Sequence, residues 1–283
     1  MTDRLVLVGS DAVPQGYLYA LERSNGAVRW KHPFAGGVGA TVLRRGDTAF
    51  AVSASGEVVA VDIESGKIGW RTPPSDLAGD RLLDPVLDGD RLFVGWRAGY
   101  VDALDTATGR RVWRTPLGAR LNTSLAVIGS TLAVGSLDGS LHSLSRVDGS
   151  VLSRRELLGL PYGDLVEAGG CLLALSMATD DPSSQAAPYS LSCLDPSLSK
   201  TLWSYRSKGE LSTFRPLVHQ GRAIVGSDGA LVALDLGTGS EAWSCPLKGV
   251  PRGLGASGEI VYVGTLSGQV LSLDPARCAG PRP

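Results

Sequence analysis

The chain is short of the residues from which many active sites are built. Its 283 residues include only four cysteines, Cys171, Cys193, Cys245 and Cys278, which form neither a C-x-x-C pair nor an adjacent pair. That excludes a zinc knuckle and a thioredoxin-type motif, and the four are expected as small apolar side chains in strands. The three histidines, His32, His142 and His219, stand far apart with no H-x-H or H-x-x-x-H spacing, so no metal site is expected. There is no G-x-S-x-G elbow and no Walker A loop. One G-x-G-x-x-G match, at Gly253, Gly255 and Gly258, is followed by the strand-like run IVYVG. A dinucleotide fold needs a helix there, so the match reads as a turn.

Excess charge is also missing. With 27 basic and 28 acidic side chains the net charge is −1, which removes the electrostatic case for nucleic acid or an anionic membrane surface. No run approaches the ~20 apolar residues of a membrane span, and the opening MTDRLVLVG holds too short an apolar stretch for a signal-peptide core. These absences lead to the expectation of a single domain over residues 1–283, cytoplasmic and without membrane contact.

What is present is glycine and repetition. The 37 glycines are nearly twice the typical share of roughly 7 %, and they punctuate a recurring pattern. An apolar strand is followed by a turn, an alternating strand ending in A-L-D, a second turn with T-G, and a strand ending in Trp. The copies are GYLYALERSNGAVRW to Trp30, GEVVAVDIESGKIGW to Trp70, GYVDALDTATGRRVW to Trp113, GSLHSLSRVDGSVLS to Ser153, YSLSCLDPSLSKTLW to Trp203, GALVALDLGTGSEAW to Trp243, and a shorter GQVLSLD to Asp274. Their apolar residues alternate with a period near two, and no window carries a helical stripe. A period of about 40 residues suits four short strands with tight turns, the size of one propeller blade.

These copies resemble the PQQ-like repeats of tryptophan-docked β-propellers. The resemblance implies an all-β fold, a seven-bladed β-propeller of four-stranded antiparallel blades, with strands A to D running from the channel outwards. It also implies that Trp30, Trp70, Trp113, Trp203 and Trp243 pack between blades with the indole N–H on a backbone carbonyl. Seven runs fit strand B, but only six fit strand A, near residues 39–44, 82–87, 122–127, 163–168, 213–218 and 252–256. The first blade is therefore expected to lack its innermost strand and the last its outermost, unless the last nine residues supply it. The quinone enzymes of this family carry a Ca²⁺-ligating set and, in many members, adjacent cysteines; this chain has neither, so no cofactor is expected. Quinone-free members include sensor domains attached to bacterial kinases and an outer-membrane assembly scaffold that needs an exported precursor.

Shared positions build a repeat scaffold, so departures from the pattern are the functional candidates. Strand B closes on Ser10, Ser53, Trp96, Ser136, Ser176, Ser227 and Thr265. Trp96, followed by Arg97, is expected to stand exposed at the propeller mouth. On the same face the segments leading into the A strands offer Asp84, Arg120, Asn122, Tyr162, Asp164, Phe214, Arg215 and Arg252, and an insert, MATDDPSSQAAPY, runs from 177 to 189. Arginine beside aromatic rings suits carboxylate or phosphate groups and is also the composition of interface hot spots. The expected function is a non-catalytic recognition propeller binding a protein segment or an anionic small molecule. The alternative is an enzyme using Asp84, Tyr162 or Asp164 as acid–base groups.

Overall fold

The computed structural model describes residues 4–10, 15–39, 41–75, 83–157, 159–178, 189–207, 209–213, 215–227 and 229–278. It contains seven antiparallel sheets, one per repeat, numbered here as blades 1 to 7. Blade 1 has strands β1 (Leu5–Gly9), β2 (Gln15–Glu22) and β3 (Val28–Ala35). Blade 2 has β4 (Leu43–Arg45), β5 (Thr48–Val52), β6 (Val58–Asp62) and β7 (Ile68–Arg71); blade 3 has β8 (Val86–Asp88), β9 (Arg91–Trp96), β10 (Tyr100–Asp105) and β11 (Arg111–Pro116). Blade 4 comprises β12 (Ala126–Ile128), β13 (Thr131–Gly135), β14 (Ser140–Ser145) and β15 (Val151–Glu156), and blade 5 β16 (Leu160–Ala168), β17 (Cys171–Met177), β18 (Tyr189–Leu194) and β19 (Thr201–Ser207). Blade 6 comprises β20 (Leu217–His219), β21 (Arg222–Ser227), β22 (Ala230–Asp235) and β23 (Glu241–Pro246), and blade 7 β24 (Pro251–Ser257), β25 (Ile260–Thr265) and β26 (Val270–Leu273). Among the described residues blades 1 and 7 are three-stranded, the first showing no A strand and the last no D strand. Gly253 and Gly255 lie in β24 and Gly258 in the turn to β25, so the glycine triplet belongs to a hairpin. A short 3-10 helix, Pro275–Arg277, is the one helix among the described residues.

The chain divides into two compact units, Met1–Leu125 with Ser145–Ser150, and Ala126–Leu144 with Val151–Pro283. In the first unit, one core cluster gathers Leu5, Leu18, Ala20 and Phe34 with Ala49, Ala51, Val59 and Val61, and a second gathers Phe50, Val52 and Val58 with Leu92, Val94 and Leu104. In the second unit, clusters form between blades 4 and 5, 5 and 6, and 6 and 7. The C strands of blades 2 to 6 are covered on both faces, and their central slot is small: Ala60, Ala103, Ser143, Cys193 and Ala233 are all 2 % exposed or less.

Indole docking joins successive blades within each unit. The Nε1–H of Trp30 donates to the Ile63 carbonyl at 2.8 Å, Trp70 to Thr106 at 2.9 Å, Trp113 to Arg146 at 3.2 Å and Trp203 to Leu236 at 2.7 Å. Trp113, Trp203 and Trp243 are buried, whereas Trp30 and Trp70 are half-buried. Each ring lies against the next turn so closely that a Cβ on Gly66 would fall 2.7 Å from Trp30, and one on Gly239 2.6 Å from Trp203. Both glycines also have positive φ, a conformation that costs other residues about 1 kcal/mol. The C–D register skips one residue before each docking slot, as where Ala103 pairs Trp113 and Leu104 pairs Arg111. This bulge turns Val112, Leu152 and Leu202 outward and explains three of the exposed apolar side chains.

Blade 4 carries Ser153 where its sisters carry Trp. Its hydroxyl donates to the Ser197 carbonyl at 2.8 Å, and the buried Leu198 packs into the blade 4–blade 5 core. With no ring to accommodate, the turn there has Ser199 in place of glycine.

Two residues beyond the docking slot a second clasp recurs. His32 Nε2 donates to the Gly66 carbonyl at 2.6 Å, Thr115 Oγ1 to Gly149 at 2.6 Å, and Arg155 Nη1 to Ser199 at 2.8 Å. At the equivalent positions of blades 6 and 7 the clasp is covalent, a Cys245–Cys278 disulfide. Cys171 and Cys193 form a second disulfide between adjacent strands, Cα atoms 5.6 Å apart. The cysteines are therefore not simply small apolar side chains. Leu173 pairs with Cys193 in the β17–β18 ladder, and Cys171 lies on the same face one pleat away. Only the hairpin register makes these two neighbours, which is why a separation of 22 residues concealed them.

Candidate functional site

The candidate residues fall into one group in each unit. In the first unit, Trp96 is 4 % exposed rather than solvent-facing, which corrects the expectation of an open indole. The reason is strand parity: Leu92, Val94 and Trp96 share one face of β9, and that face packs against blade 2. In sister repeats the small hydroxyl of this slot serves the B–C turn, with Ser53 Oγ accepting from Glu57 N–H and Thr265 Oγ1 from Gln269 N–H. Trp96 instead sends its indole N–H to Asp102 at 2.8 Å. Asp102, 2 % exposed, also accepts both Nε and Nη2 of Arg114 at 2.7 Å. Asp102 and Arg114 were not among the sequence candidates, although a carboxylate in a C-strand slot filled elsewhere by Tyr19, Val59, His142, Ser192, Val232 and Leu271 was a visible signal.

Asp84 holds the lead-in segments together. Its carboxylate accepts from Thr41 N–H at 2.7 Å, while its own N–H donates to Ser124 Oγ at 3.3 Å. Arg97 Nη1 donates to Asn122 Oδ1 at 3.4 Å, and Arg120 is exposed. β4, β8, β12 and β20 begin about four residues later than expected; the lead-in of β4 bonds to that of β8 through Thr41 and Asp84, that of β8 to that of β12 through Asp84 and Ser124, and that of β20 already pairs with β21 through Leu211 and Ser212.

In the second unit, Tyr162 is buried, and its hydroxyl donates to the Leu211 carbonyl at 3.0 Å. Burial, with Tyr189 and Glu210 nearby, pushes its phenol above the ordinary tyrosine range. A bulge between Tyr162 and Val166, with Gly163 at φ +70°, aims Asp164 at Arg215, 3.2 Å away. Arg252 Nη1 donates to the Ser212 carbonyl at 3.3 Å. Arg215 and Arg252 both border a cavity of about 360 Å³ walled by Val166, Leu217, Val218 and Leu254. Phe214 and residues 179–188 of the insert lie outside the described residues. Of the histidines, His142 is buried against Ser136 and held below its ordinary range by burial, despite the Asp138 charge, while His219 Nε2 reaches the Gly258 carbonyl at 3.0 Å.

Comparison with known proteins bears on what these groups serve. The family described as outer membrane protein assembly factor BamB matches residues 14–163, 97–253 and 185–278. An outer membrane protein assembly factor BamB of Legionella pneumophila (strain Paris) is 32 % identical over 170 residues, 56 % of this chain and 42 % of that protein. The factor of the same name from Pseudomonas aeruginosa is 30 % identical over 118 residues, 41 % of this chain and 30 % of that protein. The matched region thus spans less than half the length of these curated relatives. Among solved structures, BamB from Moraxella catarrhalis superposes with a TM-score of 0.74 at 22 % identity, covering 95 % of this chain and 81 % of that one. The computationally designed Ika8 protein superposes at 0.77 with 13 % identity, covering 96 % and 81 %.

The likeness to the BamB crystal structure makes the seven sheets the blades of a seven-bladed β-propeller. The expectation of a cytoplasmic protein is overturned by the family match and the curated relatives, all named for assembly of outer membrane proteins. The family match runs through successive overlapping stretches from residue 14 to residue 278, and the chain belongs to the PQQ-like repeat family of the outer membrane protein assembly factor BamB.

Proposed function

We propose that this chain is a non-catalytic, protein-binding propeller that serves the assembly of outer membrane proteins, as its relatives are named for doing. The observation that carries the reading is the family match along nearly the whole chain. Two disulfides agree with it, because such bonds persist in oxidising compartments beyond the cytosol. The groups an enzyme would use are already engaged: Tyr162 on a backbone carbonyl with a raised phenol, Asp84 on Thr41 N–H, and Asp164 on Arg215.

Within this reading, the cavity bordered by Arg215 and Arg252 is the contact surface for an acidic segment of the partner. The Arg215 side chain is two-thirds exposed, so its ion pair with Asp164 is weak and open to exchange for another carboxylate. The test is genetic and biochemical. In a host lacking the chromosomal copy, outer membrane protein levels are measured after supplying the wild type or the Arg215→Glu/Arg252→Glu variant. Restoration by the wild type but not by the variant supports both the function and the surface. Equal restoration removes the surface, and no effect of the deletion removes the function.

A further inference from the structure

The junction between blades 2 and 3 differs from the others in the first unit. His32 of blade 1 clasps Gly66 of blade 2, and Thr115 of blade 3 clasps Gly149 two junctions later. The equivalent Thr72 turns back into its own sheet, where its Oγ1 accepts the Val58 N–H at 2.8 Å. In place of a clasp, a cavity of about 300 Å³ opens between Thr72 and Gly109. Its walls are Val58, Leu104, Pro73 and Pro74, and it also touches Trp96, Asp102 and Arg114.

The residues of this cavity depart from the repeat together. Trp96 replaces a turn-serving hydroxyl, and Asp102 puts a carboxylate into a buried slot. Asp102 takes three donors of the roughly four a carboxylate can accept, leaving an acceptor position for a further N–H. Arg114 is neutralised by Asp102. Arg111, exposed at the edge of the cavity, makes no side-chain hydrogen bond or ion pair with any described residue. The cleft thus offers apolar walls, one spare acceptor and an uncompensated positive charge at its rim. Its volume is at the lower end of ligand pockets and suits one large side chain rather than a cofactor.

We propose that this cleft is a docking site for a polypeptide partner, receiving one aromatic or large aliphatic side chain whose neighbour in the partner is a carboxylate that meets Arg111. The proposal rests on the protein-binding reading but uses residues other than Arg215 and Arg252. Charge complementarity selects the acidic flank, and the apolar walls select the inserted side chain.

The test uses three fluorescein-labelled peptides, Gly-Asp-Phe-Asp-Gly, Gly-Asp-Ala-Asp-Gly and Gly-Lys-Phe-Lys-Gly, titrated by anisotropy into the full chain. The acidic phenylalanine peptide is expected to bind roughly tenfold more tightly than the other two, and Arg111→Glu to remove that preference. Pro73→Trp, which crowds the cavity from its exposed wall, is expected to weaken the same peptide while circular dichroism and melting temperature stay near wild type. Equal binding of the three peptides, no binding of any, or an acidic-peptide preference that survives Arg111→Glu would overturn the proposal. If host complementation still depends on Arg215 and Arg252 in that case, the protein-binding reading survives and the cleft alone is withdrawn.

Discussion

Replacing Trp96 with the serine its sister repeats carry tests the account of this position. Truncating a buried ring of this size costs about 3–5 kcal/mol, and Trp96 is 4 % exposed in a cluster with Phe50, Val58 and Val94. Removing one of three donors from the buried Asp102 carboxylate adds about 1 kcal/mol, and a serine hydroxyl that serves the turn as Ser53 does returns a similar amount. The net expectation is about 4 kcal/mol. With an unfolding entropy of roughly 2.1 cal/mol/K per residue, that lowers Tm by about 7 °C if the chain melts as one cooperative body, and by about twice that if the first unit melts alone. Trp96→Phe keeps most of the packing and loses only the N–H, so its cost is about 1–2 kcal/mol. The assay is thermal unfolding followed by far-UV and near-UV circular dichroism. A Trp96→Ser protein melting within about 1 °C of wild type would refute the packing argument and return the indole to solvent.

Three further outcomes are expected. Reducing the disulfides, which close separations of 22 and 33 residues, should destabilise by about 3–4 kcal/mol each on the chain-entropy account; an unchanged Tm in dithiothreitol would contradict it. Acid should destabilise the fold between about pH 4 and pH 2: burial opposes the charge of Asp195, but Ser197 and the Lys200 N–H hold its pKa at about 2, and Asp62, Asp105 and Asp235 are also lowered by their turn hydrogen bonds. A carboxylate depressed on folding gives stability that is complete above its unfolded pKa and lost as pH falls through the folded one, so flat stability across that window in acid titrations would count against these turns. Ser153→Trp should lower Tm although it restores the repeat's consensus, because Leu198 fills the space and Ser199 replaces the glycine a ring requires. Adding Leu198→Ala and Ser199→Gly should recover part of the loss, and failure of that rescue would show that the ring has no place at this junction.

Much of the fold could be read from the chain alone, because a propeller blade is a local structure written seven times. Alternation, turn glycines and the docking tryptophans act within about 40 residues, and counting runs anticipated that the described residues of blades 1 and 7 form three strands each. What the tertiary structure decided were contacts set by register and by neighbouring blades. Strand parity buried Trp96, which a comparison of slots alone placed in solvent. Hairpin register brought Cys171 to Cys193, and the inter-blade clasp brought Cys245 to Cys278, pairs that no spacing rule announces. The arginines of the lead-in segments could be counted in the sequence, but their partners belong to other repeats, so only packing could show Arg215 on Asp164 and Arg252 on Ser212. Sequence patterns report what each residue does within its own strand; which side chains meet across blades depends on how those strands are stacked.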